Sequence, residues 1–233
     1  VRTYVVSEAL GFAIHDYRYL LDRGYPGAST LSLVGNRYRL DARQRTILMR
    51  GVLDAERSRT NAAKRLGSLE PGASLCVDGY NVLFTLWNYM RGAPLFVATD
   101  GLLRDAGASH GRFSGTNGFE RALEALAVGI GAFELGSLTV ALDAPVSFSA
   151  MHAAALRDRL GELCPSVEVM VAASADPVVA AFDGDAIASS DSVLVASSKA
   201  PVFDLARAVL ERAFGARFPM LFEWTGYTGD GSP

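Results

Sequence analysis

The chain has 233 residues, half of them hydrophobic, which is enough for one large domain, or one domain with a small appendage, around a substantial core. It has no run of about 18 apolar residues, so no membrane span is expected, and Val1–Glu8 lacks the long apolar centre of a secretory signal. Two cysteines (Cys76, Cys164), three scattered histidines (His15, His110, His152) and no C-x-x-C pair argue against a disulfide scaffold or a structural zinc site and for a reduced, cytoplasmic protein. The net charge of −3 conceals an asymmetry: residues 1–66 carry 12 basic against 6 acidic side chains, and residues 67–233 carry 10 against 19. A basic segment suits a polyanion and an acidic one suits cations, although charges that merely cover solvated helix faces give the same balance.

Residues 1–66 read as helical throughout. Ser7 is placed to cap a first helix in which Leu10, Ile14, Tyr17 and Leu21 share a face, and Gly24 and Pro26 end it. A second, short helix starts at Ser29 or Thr30 and runs through Leu33 and Val34. Asp41 caps a third, with Ile47, Leu48 and Leu53 as its apolar surface. Two short helices across a tight turn allow a helix-turn-helix reading. Arg37, Arg39, Arg43, Arg45 and Arg50 gather around that turn, where a shared face would bind phosphates. The competing reading is a helical bundle with exposed arginines. Residues 55–72 are polar, end in Glu70-Pro71-Gly72 and read as a linker with a helical stretch near Asn61 to Leu66.

From Leu75 onward strands and helices alternate. Strands are expected over 75–78, 95–99, 138–142, 167–172 and 186–190, and helices over 82–91, 118–135, 149–163 and 201–214. Asn117 and Glu120 form a capping pair for the second of these helices, and Gly136 ends it. Strands apolar on both faces, such as Leu138 to Leu142, suit a parallel sheet covered by helices. Phe218 to Trp224 reads as an edge strand or interface segment. The expected organisation is a basic helical domain over 1–66, an α/β domain over 67–225 and a disordered tail over 226–233.

The strand over 75–78 ends in Asp78-Gly79-Tyr80-Asn81, placing an acid where α/β sheets bind ligands. The strand over 138–142 runs into Asp143, that over 186–190 into Asp191-Ser192, and that over 95–99 into Asp100-Gly101 with Asp105 beyond. Parallel strands bring their carboxyl ends to one edge, neighbours about 4.8 Å apart. Clustered carboxylates repel one another unless a cation neutralises them or some are protonated. A hard divalent ion, Mg²⁺ or Mn²⁺, is the natural occupant, and such a site suits metal-assisted hydrolysis of a phosphodiester. Asp78 and Asp191 lead the candidates, then Asp143. Asp100 and Asp105 compete for one role, with Asp176 and Asp185 in reserve. Aspartate is also common in turns and caps, so each acid alone has a structural reading.

Val77-Asp78-Gly79-Tyr80-Asn81-Val82-Leu83 resembles the opening motif of PIN-like nucleases of the NYN branch. Val140-Ala141-Leu142-Asp143 resembles the second acid-bearing strand of that branch, and Ala188-Ser189-Ser190-Asp191-Ser192 its later strand ending in a serine- or threonine-flanked aspartate. Over most of residues 10–205 the chain resembles a largely archaeal family in which a short helical domain of unknown function precedes a PIN-like domain. The segments His15 to Pro26, Leu33 to Tyr38, Asp100 to Asp105 and Leu142 to Ser147 also carry that likeness.

The resemblance implies a PIN-like parallel sheet flanked by helices, preceded by a small all-helical domain, and Mg²⁺- or Mn²⁺-dependent ribonuclease activity. It carries Asp78, Asp143 and Asp191 onto the acidic site, with Asn81 in support. Beside these, Asp100 or Asp105 is expected to complete the metal ligands, with Ser190, Ser192 and His110 as supporting residues. PIN domains often have an acid on the helix after the first strand. Residues 82–91 contain none, so Asp100, Asp105 or Glu120 would substitute. The segment 100–116 has no place in the minimal pattern and reads as a lid or substrate loop, with Arg104 and Arg112 neutralising phosphate charge. RNA is the expected partner, with homo-oligomerisation left open and no membrane. Two other functions suit the same residues: a nucleic-acid-binding protein (RNA or DNA) of this shape without turnover, and a metal-dependent phosphatase acting on a small molecule.

Overall fold

A computed structural model describes residues 7–107, 113 and 117–221. In chain order the elements are α1 (Glu8–Leu21), α2 (Gly27–Arg37), α3 (Ala42–Gly51), α4 (Ala55–Ala63), β1 (Arg65–Leu66), β2 (Ser74–Asp78), α5 (Gly79–Met90), β3 (Leu95–Val97), β4 (Leu103–Asp105), α6 (Gly118–Ile130), β5 (Ser137–Asp143), α7 (Ser149–Gly161), β6 (Val167–Ala172), α8 (Asp176–Ala181), β7 (Ala186–Ala188), α9 (Ser192–Ser197), β8 (Val202–Phe203) and α10 (Leu205–Phe214). They form two compact units. The first gathers described residues 7–62, 91–107 and 218–221, and the second 63–90, 113 and 117–217. No helix among the described residues is long and apolar enough to cross a membrane.

The first unit is helical with one hairpin. Ser7 caps α1, its Oγ accepting the Leu10 N–H at 3.3 Å. Asp41 caps α3 reciprocally: its Oδ1 accepts the Gln44 N–H at 2.8 Å, while Gln44 Oε1 accepts the Asp41 N–H at 2.9 Å. The second helix starts at Gly27, behind Pro26, earlier than expected. Ser29 sits inside its first turn, where its hydroxyl donates to the Pro26 carbonyl. Leu10, Ala13, Ile14 and Tyr17 of α1 are buried with Val34 of α2 and Ile47 and Leu48 of α3. Phe96, Ala98, Ala106 and Leu221 complete the same core, although linear order puts them in the α/β domain. The strand expected over 95–99 is therefore not part of the parallel sheet. It turns back at Gly101 (φ +81°), and β3 pairs antiparallel with β4. Val97 donates its N–H to Pro219, so residues 218–221 run beside β3. Trp224 and the expected tail over 226–233 lie outside the described residues.

The second unit is α/β. Its six strands lie in the order β1-β8-β7-β2-β5-β6, and every pairing is parallel. The polar stretch 55–72 is more than a linker, since it folds as α4 and then supplies the edge strand β1. Helices α5 and α7 pack on the sheet, and α6 and α10 pack on α5. Two expected details of α6 differ. It stops at Ile130, capped by Gly131 rather than Gly136, and Asn117 makes no side-chain cap. At φ 63° Asn117 has left the extended conformation from which a side chain reaches the next N–H groups.

Two features of this sheet position a site. Helix α5 starts at the residue after Asp78, pressed against β5. A Cβ at Gly79 would stand 2.5 Å from Leu142 Cδ2 and 2.9 Å from Val140 Cγ1, so glycine permits the approach. The chain runs from β2 outward through β5 and β6, then crosses back to β7 on the other side of β2. The strand order thus reverses at β2, and open α/β sheets bind ligands at the carboxyl ends flanking such a point.

Candidate functional site

Asp78 is the last residue of β2, the strand between β5 and β7. In register it faces Ala141, so Asp143 lies two residues farther along β5, opposite Ala172 of β6. Val77 faces Ala188, so the Ser189-Ser190-Asp191 turn leaves β7 beside Asp78. Three adjacent strands therefore deliver Asp78, Asp143 and Asp191 to one edge. Asp176 joins them as the first residue of α8, just after Ala175, which donates its N–H to Asp143 Oδ1 at 2.9 Å.

Backbone and hydroxyl donors fix Asp78, Asp143 and Asp191. Ser189 Oγ donates to Asp78 Oδ2 at 2.8 Å, and the Asn81 N–H approaches Oδ1 at 3.4 Å. The same Ser189 Oγ accepts the Asp191 N–H at 3.1 Å. Asp191 caps α9, its Oδ1 accepting the N–H groups of Val193 and Leu194 at 2.8 and 3.0 Å. Asn81 Oδ1 accepts from both Ser190 N (2.9 Å) and Ser190 Oγ (3.0 Å), which ties α5 to the end of β7. Ser192 opens α9 directly after Asp191. Tyr80 of the same motif turns inward, its hydroxyl 3.0 Å from His152 Nδ1. Burial lifts the Tyr80 hydroxyl to about 12 and lowers His152, so both are neutral at pH 7.

The edge is electrostatically unfavourable as it stands. Asp78 is 5 % exposed, and burial raises its carboxyl from 3.8 to about 7 against the opposing pull of Ser189 and the Asn81 N–H. The charges of Asp176 and Asp143 push it further in the same direction. Asp176 is raised too, first by burial and then by Asp191 and Asp143. Among the described residues none of these four carboxylates is ion-paired. Nor, among those residues, do three Asp, Glu, His or Cys side chains converge closely enough to hold a metal ion. The four acids act on one another through charge and do not form a closed ligand cage.

The other sequence candidates lie elsewhere. Asp100 and Asp105 belong to the hairpin of the first unit and are neutralised there. Arg104 grips Asp100 with two nitrogens at 2.8 and 2.7 Å, and Arg50 reaches Asp105 Oδ2 at 2.9 Å. Arg104 is 2 % exposed, so it offers no surface to a phosphate. Arg45 is equally occupied, bonding Leu40 O, Leu31 O and Asn36 Oδ1 across the α2–α3 turn, while Arg37, Arg39 and Arg43 are exposed. Asp185 stands at the opposite edge of the sheet, accepting from Ser74 N and Oγ at the start of β2. Glu120 lies on α6, where its charge acts on His152. His110 and Arg112 are outside the described residues. Sequence reasoning missed Ser189, which bridges Asp78 and Asp191. Its signal was a hydroxyl at the end of an otherwise apolar strand. Asp176, held only in reserve, is the acid the structure adds to the edge.

Fold and site together define an α/β protein with a parallel sheet, an acidic carboxyl edge at the reversal of strand order, and an N-terminal helical region. The chain belongs to the family described as Domain of unknown function (DUF5616), whose model matches residues 69–208. Residues 9–64 match a second model, Protein of unknown function (DUF434). Over 202 residues the chain is 25% identical to Uncharacterized protein MJ0935 of Methanocaldococcus jannaschii, covering 85% of this chain and 95% of that protein. No solved structure matches. The 69–208 match contains all four acids of the edge together with the β3–β4 hairpin.

Proposed function

We propose that the protein is a Mg²⁺- or Mn²⁺-dependent ribonuclease whose α/β unit is PIN-like, with Asp78, Asp143, Asp176 and Asp191 as its acidic site. The observation that carries this reading is Asp78: buried, raised to about 7, and surrounded by carboxylates with no ion pair among the described residues. Such an edge is relieved by a cation. The donors are all oxygens, and Mg²⁺ keeps several waters while taking one or two carboxylates directly, which suits acids that are spaced rather than converged. When bound, the ion supplies Lewis acidity and lowers the pKa of a water. The chain's own residues do the positioning: Ser189 and the Asn81 N–H hold Asp78, Ala175 holds Asp143, the α9 amides hold Asp191, and Ser190 orients Asn81. The exposed Arg37, Arg39 and Arg43 of the helical unit suit contact with an RNA backbone.

The test is cleavage of mixed single-stranded RNA by the pure protein in Mn²⁺. Asp78→Asn and Asp143→Asn each reduce the rate by at least about 10²-fold, a loss of ~2.7 kcal/mol of transition-state stabilisation. Cleavage at the wild-type rate by Asp78→Asn removes that residue from the site. One observation favours a second reading, a nucleic-acid-binding protein without turnover: the acids do not converge on one centre. That protein binds RNA with a steep salt dependence and leaves it intact in Mn²⁺.

A further inference from the structure

The turn between β5 and α7 carries a feature that folding alone does not explain. Asp143 ends β5, and five residues later Phe148 sits at φ 68° with 72 % of its surface exposed. The left-handed region is costly for a bulky side chain and comfortable for glycine. A ring so exposed recovers little of that cost through burial. The turn is otherwise well tied: Val146 N donates to Asp143 O at 3.2 Å, Ser149 N to Val146 O at 3.1 Å, Ser149 Oγ to Ala144 O at 3.2 Å, and His152 N to Phe148 O at 2.9 Å. The phenyl ring is thus held out on a fixed backbone. Met151, three residues on in α7, is 57 % exposed, and Val193, two residues after Asp191, is 65 % exposed. The connections that leave the acidic edge therefore present apolar side chains to solvent beside carboxylates. Strained conformations persist where function retains them.

We propose that Phe148 is a stacking platform for one base of a single-stranded nucleic acid whose backbone lies along the acidic edge. A ligand that brings a flat apolar face within one turn of a cation-seeking carboxylate is a nucleotide. Aromatic rings accept any base, because every base has a π-face. Phe148 is a positioning residue in this scheme, setting the phosphate next to Asp143. The inference rests on the hydrolase reading for the cation that lets a phosphate backbone approach these carboxylates and for the fate of that phosphate, while the stacking is read out separately.

The test uses the full chain and a short single-stranded RNA carrying 2-aminopurine, whose fluorescence falls when it stacks on an aromatic ring. Quenching is followed in Mn²⁺ by stopped flow before turnover, and again in Asp78→Asn. Wild type quenches the probe, and Phe148→Trp retains the effect. Phe148→Gly abolishes the quenching and weakens binding roughly 10-fold, while its melting temperature stays equal or rises because the positive φ is relieved. Making the probed nucleotide abasic weakens wild-type binding by a similar factor and leaves Phe148→Gly unchanged. Equal quenching by wild type and Phe148→Gly overturns the proposal, as does equal binding of intact and abasic strands. Self-association that depends on Phe148, with no effect on the strand, assigns the ring to a second copy and also overturns it. Loss of Phe148-dependent quenching with Mn²⁺-dependent cleavage intact removes the stacking alone. Quenching without cleavage removes the hydrolase reading alone.

Discussion

Asp78 concentrates the physics of the site in one side chain. Burial lifts its carboxyl from 3.8 to about 7, so the folded protein holds this proton more tightly than the unfolded chain does. The stability it contributes is complete below about pH 4, falls as pH rises and is lost above about pH 7. Asp78→Asn cannot ionise. It is therefore expected to be more stable than wild type at pH 8, by up to ~4 kcal/mol, with the difference vanishing near pH 4. Melting curves across this range measure it. Addition of Mg²⁺ at pH 8 should stabilise wild type and leave the variant unmoved. The acid itself was legible, because a strand followed by Asp-Gly can be read locally. The role of Ser189 was not, because the 111 positions separating it from Asp78 are bridged only by the β2–β7 register.

At the scale of elements, the junction of β2 and α5 is set by Gly79. Its Cα lies where any side chain would strike Leu142, Val140 and the Ala141 carbonyl. Gly79→Ala must push the start of α5 away from β5, and overpacking of this kind costs about 1–3 kcal/mol. Gly67→Ala is the control, because nothing lies within 4 Å of a Cβ there, and it is expected to be near neutral. Denaturant melts of the two variants separate a tight junction from generic sensitivity to glycine replacement. The hairpin shows the opposite kind of legibility. Asp100-Gly101 between Leu95–Ala98 and Leu102–Leu103 is a hairpin signal and also an acid after a strand. The first meaning prevails because the bidentate Arg104 pair and Asn61 satisfy Asp100. Arg104 stands only four residues on, within the same short segment, whereas Asn61 comes from 39 positions away.

For the molecule as a whole, the consequence is that chain order and compact unit do not coincide. The helical core takes Phe96, Ala98, Ala106 and Leu221 from segments that interrupt or follow the α/β unit. A fragment of residues 1–66 therefore lacks four core residues and is expected not to melt cooperatively. Circular dichroism and amide dispersion of the fragment test this, with the full chain as the reference. A sharp, reversible melt of the fragment would show that the helices alone suffice. The charge asymmetry is a property of the sequence, and its meaning changes when each arginine is followed to its partner. Arg45 and Arg50 bond within the helical unit, and Arg37 lies 3.6 Å from Asp16 while remaining exposed, as do Arg39 and Arg43.

Local patterns specify the kinds of element and most of their positions. Caps such as Ser7 and Asp41, and apolar strands such as Leu138 to Leu142, are decided by neighbours a few residues away. The sequence also marks Asp78, Asp143 and Asp191, since an acid after an apolar strand is a local pattern. Long-range packing is what brings these acids to one edge with Asp176, pairs Asp105 with Arg50, and leaves Phe148 exposed on strained backbone. Strand order and the Arg50–Asp105 pair join residues far apart in the chain, and no local window contains both partners.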